Sequence, residues 1–275
     1  MASQTTAPIL VLGATGKTGG RVAQRLLDQG HAVRAVSRRA APSFDWEDAA
    51  TWPAVLEGVE TAYVSYQPDL AAPGALAVLK RFFAEAANHG VRKIVLLSGR
   101  GEPEAQDAEQ ALQATRLDWT IIRASWFHQN FSESFFLDAV KEGTLVLPEG
   151  LAPEPFVDVE DIADIAAEAL VHPRHSRKLY EVTGPRALTF GEVVDEIARA
   201  TGRHITVITV PMEAYRQGLL EVLPQDLAEL IVYLFATVLD GRNTPVAHGV
   251  ERALGRQPGS FEAYVARTAA TGVWA

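Results

Sequence analysis

The sequence contains no cysteine. A disulfide framework, a thiolate zinc site, an iron–sulfur cluster and a cysteine nucleophile are therefore excluded. Positive charge is scarce too: 25 Lys and Arg stand against 34 Asp and Glu, a formal charge of −9 at pH 7. A chain so short of cations lacks the basic footprint that nucleic acids and anionic membranes require. No apolar run is long enough for a bilayer. The longest uncharged one, Leu230 to Leu239, is about half of a span. The segment MASQTTAPIL has neither a basic n-region nor a cleavage site, so no signal peptide is expected and a cytoplasmic location is the default. What is present is a globular balance, 48% apolar and 21% charged over 275 residues, which argues against disorder. A chain of this length suits one large domain or two small ones and needs no staple.

Apolar runs alternate with helical patterns. Ile9 to Leu12 ends in glycine, and residues 17 to 29 follow with Val22, Leu26 and Leu27 at helical spacing before Gly30. Strands are expected at 31–37, 61–66, 94–98 and 119–123, with helices at 75–89 and 104–116. This rhythm builds βαβ units, hence an α/β fold with a doubly wound parallel sheet. After residue 124 the rhythm changes. An aromatic-rich helix is expected over 126–142 and an amphipathic one over 159–171, entered through Asp158. LYEVT, 179–183, returns as a strand, and 205–210 is the one strand expected in a mostly helical remainder. The nearest thing to a linker is 148–155, with three prolines and a glycine. The expected division is a dinucleotide-binding domain over 1–184 and a smaller, mostly helical cap over 185–275.

GATGKTGG, residues 13–20, is the strongest local signal. Gly13, Gly16 and Gly19 form G-x-x-G-x-x-G between the first strand and the first helix, with Thr15, Lys17 and Thr18 among them. Glycine permits the tight turn and lets backbone approach a pyrophosphate, and the helix N-terminus beyond offers free N–H groups. A Walker A loop would end in the same Gly16-Lys17-Thr18, but it needs glycine at position 11, which is valine. The second strand ends in Ser37-Arg38-Arg39, where NAD-specific folds usually carry an acid; the arginines fit a 2′-phosphate and favour NADP(H) over NAD(H). The bland alternative is a pair of solvated basic residues. Asp45 and Trp46 are candidates to flank an adenine, and Ser98 to border a nicotinamide or to cap the next turn.

GATGKTGG, SRR, FDW, KIVLLS, LDWTIIRASWFHQNFSE and FVDVEDIADIAAEALV together resemble the NmrA-like group of atypical short-chain dehydrogenases. YEVTGPRALTFGEVVDEIARATGR is similar to that family's cap, so the resemblance spans nearly the whole chain. Within the group the sequence looks closest to the ergot-alkaloid iminium reductases, then to the triphenylmethane-dye and quinone reductases. The resemblance implies a Rossmann fold, an NAD(P)H site and a cleft between sheet and cap. It does not imply one substrate, and the family also includes regulators that bind dinucleotide and catalyse nothing. The sequence departs from the family pattern twice. The helix before LDWTIIR has no lysine or histidine, and Arg123-Ala124 stands where many members read Arg-Pro.

Typical short-chain dehydrogenases use Y-x-x-x-K as acid and pKa-lowering partner. None of the six tyrosines has lysine four residues on. Efficient reduction of a simple ketone is not expected, because the developing alkoxide lacks a tuned acid. Cationic or conjugated acceptors, such as an iminium, quinone or enone, tolerate that lack. Ser125, Trp126, Phe127, Asn130 and Phe131, past the fifth strand, are the pocket candidates, with His128 the candidate proton donor. Core packing is the competing role for each aromatic, Phe135 and Phe136 included. His172 and His175 read as exposed turn residues rather than metal ligands, and the acids of helix 159–170 as a solvated face. The expected protein is an NADPH-dependent reductase of a small molecule, or else a redox sensor that signals to a partner. No metal, nucleic acid or membrane is expected, and homo-oligomerisation is left open.

Overall fold

The computed structural model describes residues 7–134 and 136–275. Phe135 lies outside the described residues. Strands β1 (Ile9–Leu12), β2 (Val33–Val36), β3 (Thr61–Val64), β4 (Lys93–Gly99), β5 (Asp118–Ala124) and β7 (Lys178–Val182) form a parallel sheet in the order β2-β1-β3-β4-β5-β7. The chain leaves β1 for β2 on one side and returns to β3 on the other. The order therefore reverses at β1, directly below the glycine loop, which is where doubly wound sheets open a crevice.

Every residue of β1 is buried because the sheet is covered on both faces. Leu10 and Leu12 join Ala62, Val64, Ile94 and Leu96 against α3 (Ala75–Asn88) and α4 (Pro103–Gln113). Val11, with Tyr63, Val95 and Ile122, faces α1 (Gly19–Asp28) and α6 (Val159–Val171). The period of two along each strand thus fills two separate cores. A short helix, α2 (Trp52–Leu56), precedes β3 and adds Trp52 and Val55 to the first core.

Helix α6 starts where expected, at Asp158, whose Oδ1 accepts from Glu160 N at 3.0 Å. Its acids are not a solvated face. Glu160 and Asp164 pair with Arg21 and Arg25 of α1 at 2.5–2.6 Å, and buried Asp161 pairs with Arg256 at 2.5 Å. His175 is likewise buried rather than exposed, its Nδ1 2.9 Å from the Tyr180 hydroxyl; His172 is exposed.

The helix expected over 126–142 is largely absent. Trp126 O accepts from Val157 N and Val157 O accepts from His128 N, so the backbone runs extended past β5. A 3-10 turn, His128–Phe131, follows, and only α5 (Phe136–Glu142) is α-helical. Those two bonds to Val157 satisfy backbone groups that a helix would have satisfied locally.

The remaining elements are β6 (Thr144–Pro148), α7 (Phe190–Thr201), β8 (Thr206–Val210), α8 (Met212–Val222), α9 (Gln225–Val238), α10 (Gly249–Leu254) and α11 (Phe261–Ala269). The expected boundary at residue 184 is crossed in both directions. β6 pairs in parallel with β8, whereas α10 returns to β7 and α6. A third core of aromatic and aliphatic side chains, centred on Phe131, Phe136, Phe190 and Phe235, holds the cap. Among the described residues no helix is long and apolar enough to cross a membrane.

Candidate active site

The loop after β1 is shaped by its glycines. Gly13 takes φ +66°, and Gly16 N donates to Gly13 O at 2.8 Å. A Cβ on residue 19 would stand 2.3 Å from Gly13 O, so only glycine lets the start of α1 pack this closely on the loop. Thr18 caps α1 without a side-chain bond, and the first turn contains no acid. Gly20 N donates to Gly16 O at 3.2 Å, and the positive end of the α1 dipole is left for a ligand.

That terminus opens onto a cleft of about 710 Å³. Gly13 and residues 15–18 form one end. The floor is made by the C-terminal ends of β3, β4 and β5 with their following loops, and leucines of α9 form the far wall. Lys17 projects into it, its Nζ donating to Asn130 Oδ1 at 3.2 Å. Burial lowers the Lys17 pKa, opposed by the charge of Glu133.

The expected residues divide clearly. Gly13, Thr15, Gly16, Lys17, Thr18, Ser98, Ser125, Trp126, Phe127 and Asn130 all line the cleft. Ser98 Oγ donates to Glu109 Oε1 at 2.6 Å, and Arg123 grips the same carboxylate at 2.5–2.9 Å, which fixes the end of β4. Trp126 packs edge-on against Phe235 of α9, with centroids 4.9 Å apart. Gly19 acts on the loop backbone and does not line the cleft. Ser37, Arg38 and Arg39 lie beside the glycine loop, where Ala14 N donates to Val36 O at 3.2 Å. Both arginines are exposed, and their guanidiniums have no partner among the described residues.

Four expectations are corrected. His128 is only 1% exposed and does not line the cleft; it packs edge-on to Phe261 at 5.0 Å. Burial lowers its pKa to about 4, partly offset by Asp158. A neutral imidazole outside the cleft cannot donate a proton to a bound acceptor. Phe131 is 0% exposed and belongs to the cap core. Trp46, 9% exposed, is held in the first core by Phe44 and Phe82 and touches the cleft only through Tyr66, 4.9 Å away. Asp45 does not line the cleft, and its Oδ1 already accepts from Glu47 N at 3.0 Å.

Sequence reasoning missed the loop after β3, residues 65–70, as well as Glu102 and the α9 wall of Leu227, Leu230, Ile231 and Leu234. The first was discoverable, since ligands bind beyond the carboxyl ends of such strands. The wall residues recur at helical spacing, but nothing local says that their face meets a cleft. Asp69 and Glu102 belong to no motif.

Residues 13–173 match the NAD(P)H-binding family, and residues 106–264 match the NmrA-like family. The chain belongs to the NmrA-like family. Agroclavine dehydrogenase of Claviceps fusiformis is 30% identical, covering 94% of this chain and 96% of that protein. NAD(P)H azoreductase of Xenophilus azovorans is 27% identical over 95% and 98% of the two chains. The NADPH-dependent quinone oxidoreductase of Escherichia coli, solved with NADPH, shares the fold: TM-score 0.79 and 20% identity over 94% and 99%. In this NmrA-like chain the uncapped α1 terminus, the close-packed Gly19 and the Lys17 ammonium suit a dinucleotide pyrophosphate.

Proposed function

We propose that the protein is an NADPH-dependent reductase that delivers hydride to a small, flat acceptor, an iminium, quinone or enone, without a Tyr–Lys pair. The observation that carries this reading is the single cleft running from the open α1 terminus, across the strand ends, to an apolar helix. Gly13, Thr15, Gly16, Lys17 and Thr18 would hold the pyrophosphate, and Arg38 and Arg39 a 2′-phosphate. A bound nicotinamide supplies the hydride. Ser98 and Ser125 border its expected place. Trp126, Phe127 and the α9 leucines press a flat acceptor into position and exclude water. The cap, which takes in β6 and gives up α10 to the sheet, supplies the acceptor half of the site through α9. Relatives named as an NAD(P)H azoreductase and an agroclavine dehydrogenase support small-molecule redox chemistry.

The test is NADPH oxidation with a panel of iminium, quinone, enone and simple ketone compounds. The proposal expects turnover with at least one conjugated or cationic class and little with the ketone. Trp126→Ala should lower that turnover on the order of 100-fold, the cost of ~1 Å of misplacement. Failure of every acceptor, or a preference for the ketone, contradicts it.

A further inference from the structure

A reductase of a neutral acceptor needs a proton as well as a hydride, and the two usual donors are missing. No Tyr–Lys pair exists in the sequence, and His128 lies outside the cleft. The cleft nevertheless contains an acid that no motif announced. Glu102 sits at the start of α4 with extended backbone and gives its helix no side-chain cap. Its carboxyl folds back over the end of β4 instead. A Cβ on residue 99 would stand 2.0 Å from Glu102 Oε1, so Gly99 is the cradle that admits it. Both residues line the cleft, as does Asp69 from the loop after β3.

The loop is anchored so that this position is fixed. Arg100 Nε binds Glu181 at 2.5 Å and its Nη2 binds Pro245 O at 2.7 Å. Asn243 Nδ2 closes on Arg100 O at 2.9 Å. Asp69 is held by Ala71 N, which donates to its Oδ1 at 2.8 Å. Asp69 and Glu102 thus meet in one part-buried corner of the cleft, where two negative charges side by side are costly and one carboxyl is favoured to keep its proton.

We propose that Glu102, the buried carboxyl that faces the cleft beside Asp69, is the general acid of the reduction. This rests on the reductase reading above. For an enone, the hydride pair enters the β-carbon and the C=C electrons move through the carbonyl to its oxygen. That oxygen takes the Glu102 proton as the Glu102 O–H bond breaks. The enol tautomerises to the saturated ketone, the two electrons being those a bound reduced nicotinamide would supply, and Asp69, the more exposed carboxyl, returns a proton from solvent. An iminium ion becomes a neutral amine on hydride addition alone, so it needs no such donor.

The surroundings favour the protonated form. Glu102 is 7% exposed. Burial, then the charge and hydrogen bond of Asp69, then Glu104 and Glu109 of α4, raise its pKa to about 9. From α9, the Tyr233 hydroxyl bonds Glu104 at 2.7 Å and adds no cation, and Arg242, which donates to Gly101 O at 3.3 Å, is paired with Asp240 at 2.8 Å. Arg100 and Arg123 are paired with Glu181 and Glu109. The profile follows: Glu102 stays an acid through neutral pH and is lost as a donor as pH rises through about 9.

The experiment uses Glu102→Gln and Asp69→Asn in the full chain. Infrared spectra of the cofactor-free protein near neutral pH should show a protonated-carboxyl C=O stretch that Glu102→Gln removes. Turnover of an enone should fall on the order of 100-fold or more in Glu102→Gln, while a dihydroisoquinolinium ion changes less than about 3-fold. NADPH affinity by calorimetry should be retained. Absence of the infrared band, or equal losses on both acceptors, overturns the general-acid role. A wild-type protein that binds no NADPH overturns the reductase reading itself, and calorimetry alone registers that failure.

Discussion

Arg38 and Arg39 leave the end of β2 exposed and unpaired among the described residues, beside the glycine loop proposed to hold a pyrophosphate. An unpaired guanidinium is a ready partner for a phosphate. Arg38→Ala should therefore weaken NADPH by on the order of 1.5–3 kcal/mol, the worth of a charged hydrogen bond. NADH affinity should hardly change. Calorimetric titration of both cofactors checks this, and equal wild-type affinities would remove the arginines from cofactor choice. These residues could be singled out in the sequence because the cue is local: a strand end and a fixed offset from the glycine loop. The glycines were legible for the same reason, each answering a backbone demand within a few residues. Asp69 and Glu102 were not, because what defines them is a meeting of two loops 33 positions apart, over Gly99.

At the scale of elements, the segment after β5 shows what periodicity misses. Trp126, Phe127, Phe131 and Phe136 fall at spacings that suit a helix, yet the backbone of residues 126–128 is taken by Val157. Apolar spacing records which side chains are buried, not which partner satisfies the backbone. The 3-10 turn places His128 between Asp158 and the rings of Phe261 and Tyr264, its Nδ1 4.0 Å from Asp158 Oδ2. Its folded pKa, about 4, lies below the ordinary value of 6.5. The neutral ring therefore stabilises the fold fully above 6.5, and that contribution is lost as pH falls through about 4. The loss should be on the order of 3 kcal/mol. Urea denaturation from pH 7 to pH 4 should show a decline that His128→Phe flattens. An unchanged slope in the variant would contradict the burial of a neutral imidazole. Helix α6 was easier to read because its apolar stripe lies within its own residues and its cap, Asp158, and Pro173 lie directly beside them.

For the whole molecule, strand–helix alternation was enough to foresee the parallel sheet. β-branched and leucine-rich strands buried on both faces leave few other arrangements. The cap was less legible. β6 and β8 pair although 57 residues lie between them, and nothing in either strand names its partner. The α9 wall depends on the same long-range assembly. Within this architecture the proposed dinucleotide site is the uncapped start of α1, opened by Gly13, Gly16 and Gly19. Gly16 tests it most directly, since it lines the cleft at the exposed tip of the loop. A Cβ there already meets Gly13 O at 3.2 Å, and the branched side chain of valine would project into the pyrophosphate's place. The measurement is calorimetric titration of NADPH into wild type and Gly16→Val, with circular dichroism to show that both are folded. The wild type should bind NADPH and the variant at least about 100-fold more weakly, a difference of ~3 kcal/mol. A folded Gly16→Val protein that binds NADPH as tightly as the wild type would contradict it.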